Sequence, residues 1–108
     1  MQLQHRDNMT RIEYTINGDE FNLHCIGHAG FAEAGNDIVC AGISTLVQTL
    51  TTHLPEIAEE YEVHIDSGEV KCSAKGSKAI DCFQMILTGL RLLEGSYPQY
   101  LCIVKGVL

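Results

Sequence analysis

The chain has no tryptophan, two prolines, and only seven lysines and arginines against fourteen aspartates and glutamates. The shortage of basic residues excludes binding to a nucleic-acid backbone, because phosphate contacts need clustered Lys and Arg. No apolar run approaches the length of a membrane span, so no segment is expected to cross or anchor to a bilayer. No charged stretch followed by an apolar one opens the sequence, so no secretory signal is expected and the compartment reads as cytoplasmic. Five thiols, Cys25, Cys40, Cys72, Cys82 and Cys102, are then expected to be reduced, most of them as small buried hydrophobes. They form no C-x-x-C pair, the compact spacing typical of structural zinc. There is no internal repeat and no low-complexity segment.

The 108 residues set the expectation of one domain, and the 45% hydrophobic share suits a compact globular one. So small a domain often gains from oligomerisation. A net charge of -7 is compatible with a basic protein or peptide partner, and equally with acidity for solubility alone. Residues 1–8 are polar and unpatterned, so they read as a flexible leader before a single domain over residues 9–108.

Residues 10–16 alternate and carry β-branched and aromatic types, which predicts a strand. Asn17-Gly18 signals a hairpin and residues 21–28 its partner strand. On that strand Phe21, Leu23, Cys25 and Gly27 share one face; Asn22, His24, Ile26 and His28 share the other. A small-residue loop spans 30–36, bounded by Gly30 and Gly35. Asp37 reads as an N-cap of a helix running to about residue 53, with Val39, Ile43, Leu46, Val47, Leu50 and Leu54 as its apolar stripe and Pro55 at its exit. After an acidic connection, residues 61–65 and 69–74 form a second hairpin around Asp66-Ser67-Gly68. A second helix over about 78–93 buries Ile80, Phe83, Ile86, Leu87, Leu90 and Leu93, and Gly95 and Pro98 stop it. Residues 100–104 add a last strand. The expected class is α+β: a mainly antiparallel sheet of four to five strands covered by two helices, in the order β-β-α-β-β-α-β.

Between Gly27 and Ser44 lie one histidine, His28, and one cysteine, Cys40, twelve positions apart. With Asp37 as cap, Cys40 is the third residue of the helix, where unpaired N–H groups and the positive end of the macrodipole lower a thiol pKa and can hold an oxyanion. His28, folded back over the loop, is placed to take the thiol proton and return one to a leaving amine. Bland readings stand beside these: Cys40 as a packing residue, His28 as a polar strand end, with His24 a competitor on the same face. Asp37 either caps the helix or orients His28. Ser44, one turn after Cys40, either supports the site or bonds back to the main chain. Gly30 and Gly35 permit a mobile loop or simple turns. His24, Cys25, His28 and Cys40 are types that zinc accepts, but Cys25 faces away from the histidines, so neither a metal nor another cofactor is expected. His53 and His64 read as surface residues, and Asp81 and Glu94 as solvated charges.

The segment G-H-A…G-x-D-I-V-C-A-G-I-S closely resembles the signature of the bacterial ribosomal-processing cysteine proteases. The match takes in Gly27, His28, Ala29, Gly35, Asp37, Ile38, Val39, Cys40, Ala41 and Ser44, and the order of elements from residue 9 onward is similar too. The resemblance implies a small cytoplasmic homodimer that removes an N-terminal extension from a large-subunit ribosomal protein. It implies Cys40 as nucleophile and His28 as base, with Gly27, Gly35, Asp37, Ala41 and Ser44 in supporting or substrate-binding roles. An alternative of another class is a non-catalytic module that holds a basic protein during ribosome assembly; a zinc-binding domain is a weaker third.

Overall fold

The computed structural model describes residues 9–27 and 34–106, with the side chains of the first helix described from Ile38 onward. Among these the elements are β1 (Thr10–Asn17), β2 (Glu20–Ile26), α1 (Ala34–Ile57), β3 (Glu60–Asp66), β4 (Glu69–Lys75), α2 (Ser77–Ser96) and β5 (Leu101–Lys105), the order expected. The strands form one sheet in the order β3-β4-β2-β1-β5. Three pairings are antiparallel, and β5 lies parallel to β1. The register makes β3 run with β2, and β5 with β4. Each helix is therefore a crossover between two parallel strands that are not neighbours, which is what a helix connection is for.

Alternation along the strands decides the core. Thr10, Ile12 and Tyr14 of β1, Phe21, Leu23 and Cys25 of β2, and Cys72 and Ala74 of β4 are buried beneath the helices. At the centre Phe83 of α2 stacks on Phe21, with ring centroids 4.2 Å apart, and meets Tyr14 edge-on at 5.6 Å. The predicted stripe of α1 is buried, apart from a half-buried Leu46. Leu46 packs where a Cβ on Gly89 would stand, and Leu93 where one on Gly42 would stand, at 3.1 and 3.0 Å. Each helix thus offers a glycine to the other's leucine, which brings the two axes close.

Several boundaries differ from expectation for local reasons. The first hairpin turns on Gly18-Asp19, since Asn17 pairs with Glu20. Gly18 has φ 65° and Asp19 a negative φ, the pattern of a turn with glycine at its first central position. Pro55 does not end α1, which continues to Ile57; in the last turn a proline removes a single main-chain bond and the helix survives it. Gly95 lies inside α2, whose end is closed by the Tyr97 N–H donating to the Leu93 carbonyl. Glu94 is not merely solvated. Its carboxylate accepts from the Ile103 N–H at 2.8 Å and from Arg91, while Arg91 also reaches the Tyr14 hydroxyl, so the end of α2 is tied to β5 and the core.

Candidate active site

The candidate site forms where β2 ends. The Gly27 N–H donates to the Gly68 carbonyl at 2.8 Å, pinning the β3–β4 turn against the end of β2. Gly68 has φ 76°, and a Cβ there would stand 3.0 Å from the Gly27 carbonyl oxygen, so turn and contact both need glycine. Across this floor passes α1. Cys40, Ser44 and Gln48 recur every fourth residue on one side of the helix. With Thr10, Cys25, Gly27, Ile43 and the hairpin residues Ile65, Asp66, Gly68, Glu69 and Val70 they enclose a cleft of about 320 Å³.

The thiols divide by burial. Burial pushes Cys25 up to about 11, with the charge of neighbouring Cys40 adding to the rise, and pushes Cys72 up to about 12, with Cys25 adding. Both therefore remain protonated thiols near neutral pH and make poor nucleophiles. Cys40 is half-buried on the cleft wall. Cys82 and Cys102 are also half-buried, but they do not line this cleft.

The histidines divide by face. Neighbours on a strand point to opposite sides, so His24 projects from the uncovered face while Cys25 points into the core. On that uncovered face His24 Nε2 lies 2.5 Å from Glu69 Oε2. The hydrogen bond to His24 is the main reason the Glu69 carboxyl titrates below its ordinary range; the His24 and Lys71 charges add to it. The sheet thus stands between His24 and Cys40, which removes His24 as a competing base for that thiol. His64 lies 3.7 Å from Glu62, both well exposed. His28, Ala29 and Gly30 lie outside the described residues. Among the described residues no three His, Cys, Asp or Glu side chains are grouped to hold a metal ion.

The start of α1 is a correction. The helix begins at Ala34, so Gly35 belongs to its first turn rather than to a loop, and Asp37 is inside the helix rather than at its cap. An acidic residue in the first turn complements the macrodipole without capping, so the residue type alone misplaces the boundary. Cys40 becomes the seventh helical residue, and the unpaired N–H groups of the first turn stand roughly 6–9 Å further along the axis. Dipole support falls off within that turn, so neither it nor an oxyanion site at the helix start acts beside Cys40. Ala41 is exposed, and Ser44 is exposed on the cleft side. Sequence reasoning missed Thr10, read only as the start of a strand, and Gln48. The i, i+4, i+8 spacing from Cys40 was the available signal for Gln48, whereas nothing in the sequence marks Thr10.

The sequence model of the family described as "Cysteine protease Prp" matches residues 9–102. A ribosomal processing cysteine protease Prp of Mycoplasma pneumoniae is 30% identical over 81 residues, covering 73% of this chain and 81% of that protein. Two crystal structures of the essential ribosomal processing protease Prp from S. aureus share the fold. The one with a substrate peptide has a TM-score of 0.78 at 20% identity, and the one with a covalently linked product peptide 0.77 at 22%. Each covers 91% of this chain and 100% of its own.

Proposed function

We propose a substrate and a mechanism for this chain from one established premise: it belongs to the cysteine protease Prp family. The chain is a cysteine endopeptidase that removes the N-terminal extension of a large-subunit ribosomal protein in the cytoplasm. The observation that carries the reading is Cys40, half-buried on the wall of a cleft walled by α1, the end of β2 and the β3–β4 hairpin, while Cys25 and Cys72 are held protonated beneath it.

His28 is the base. Its support is connectivity: Gly27 lines the cleft and His28 is the next residue, and no described histidine shares that cleft. His28 takes the Cys40 proton, and the thiolate attacks the scissile carbonyl. The C–N bond breaks as protonated His28 gives its proton to the departing amine. Water, deprotonated by His28, then hydrolyses the thioester and restores the thiol. A covalently linked product peptide, described for the S. aureus protein, supports a covalent route. Gly27, Gly35, Asp37, Ala41 and Ser44 take supporting or substrate-binding roles around Cys40.

A basic precursor suits a chain of net charge -7 whose cleft has Asp66 at its edge. Homodimer formation has its support in α2, where Met85 and Leu92, seven residues apart on one side, are exposed. No helix among the described residues is long and apolar enough to cross a membrane.

The test is a cleavage assay read by mass spectrometry, using the same organism's ribosomal-protein precursor. One cut is expected, reduced by about a thousandfold or more in Cys40→Ala and in His28→Ala. Undiminished cutting by Cys40→Ala, or tight binding with no cut, would contradict the reading.

A further inference from the structure

Among the described residues the cleft has one buried hydroxyl, and the reaction above does not use it. Thr10, the first residue of β1, is only 3% exposed and still lines the cleft with Cys40 and Gly27. Its main-chain N–H donates to the Tyr100 carbonyl at 2.9 Å. Among the described residues its side-chain hydroxyl makes no hydrogen bond, whereas Thr45, Thr49, Thr51 and Thr88 each bond back to their own helix. Thr10 Oγ1 lies 3.2 Å from the point where a Cβ on Gly27 would stand. Because Gly27 has no side chain, the hydroxyl is left uncapped at the end of β2, next to the residue that precedes His28.

A buried hydroxyl without a partner is unfavourable, and native folds keep few of them. The other polar groups lent to the cleft by α1, Ser44 and Gln48, are exposed and solvated. Thr10 is the desolvated one. A peptide entering such a cleft loses water from its main-chain carbonyls, and each then needs a donor. A hydroxyl can supply one and can rotate to meet it.

We propose that Thr10 is a substrate-binding residue: its hydroxyl donates a hydrogen bond to a main-chain carbonyl of the peptide held beside Cys40. The assignment rests on the protease reading, and its test separates the two. The probe is a peptide spanning the junction between extension and mature ribosomal protein, titrated calorimetrically into Cys40→Ala protein with Thr10, Thr10→Val or Thr10→Ser. Cleavage by the same three residues at position 10 is measured with Cys40 intact, and thermal unfolding is recorded throughout.

Valine keeps the shape and removes only the unpaired hydroxyl. Thr10→Val is expected to raise the Kd about five- to tenfold and to lower kcat/KM by a similar factor, with a melting temperature equal to or above that of the parent. Thr10→Ser loses a buried methyl and melts lower, yet its hydroxyl restores binding. Opposite orders of stability and affinity cannot come from a purely structural residue. Parental affinity in Thr10→Val, or affinity that simply follows melting temperature, overturns the proposal. Weakened binding by Thr10→Val in a protein whose Cys40 form cuts nothing would uphold the Thr10 contact and overturn the reaction.

Discussion

The two faces of the sheet use similar residue types to opposite ends. Beneath the helices, Cys25 and Cys72 are buried and their thiols pushed up, Thr10 is desolvated, and Cys40 comes down from α1 to the mouth of the cleft. On the uncovered face, His24, Glu62, His64, Glu69 and Lys71 form a broad polar basin of charges that largely satisfy one another or meet water. His24 and Cys25 are adjacent in sequence and belong to different faces. Chemistry in this fold is decided first by strand parity and only then by residue type. A histidine one position out of phase becomes a surface ion-pair member rather than a base.

That contrast can be broken most severely at the covered face. Phe83 is fully buried against Phe21 and Tyr14, so Phe83→Ala should cost about 3–5 kcal/mol in chemical denaturation. A loss near zero would mean the face is not a packed core. An intermediate effect comes from alkali. Unfolding frees the Cys25 and Cys72 thiols to ionise near their ordinary value of 9.0, while the folded protein holds their protons until about 11 and 12. The unfolded state therefore binds fewer protons, and each thiol lowers stability by about 1.4 kcal/mol per pH unit from about 9 up to its folded value. Denaturation curves from pH 8 to 10.5 should show this slope, reduced in Cys25→Ala; a slope unchanged by that substitution would contradict the burial argument.

The smallest effect is expected on the open face. His24→Gln removes an ion pair whose members are both partly exposed, so stability should change far less than with Phe83→Ala. Glu69 is held below the carboxylate range by its hydrogen bond to His24, so what the pair adds is present above that range and disappears as acid protonates Glu69. Turnover should persist in His24→Gln. A loss of cleavage as large as that of Cys40→Ala would place His24 in the reaction and undo the separation of the faces.

Periodicity made the strands, both helices and their buried stripes legible, because apolar alternation and the 3.6-residue repeat report directly which side is covered. Pairing order was not legible. Nothing in residues 100–104 announces that they lie parallel to β1, since that follows from where α2 crosses the sheet. Helix ends failed where a residue type has two uses. Asp37 suits a cap and a first turn equally, and Pro55 is tolerated in a last turn. The same ambiguity placed Cys40 too near the helix start, and with it the oxyanion donors. The grouping of Gly27, Cys40 and Ser44 at one cleft follows from short sequence separations. Thr10 and the β3–β4 hairpin reach it through sheet pairing, which the sequence around Cys40 does not encode.

The most direct test of the central claim is to treat the protein with a junction peptide ending in a chloromethyl ketone, which alkylates a thiolate with loss of chloride, then map the labelled thiol by peptide mass spectrometry. The account predicts labelling at Cys40, prevented by excess substrate peptide, with Cys25 and Cys72 unmodified in the folded protein. Labelling at Cys82 or Cys102 instead, or labelling of Cys40 indifferent to substrate, would contradict it.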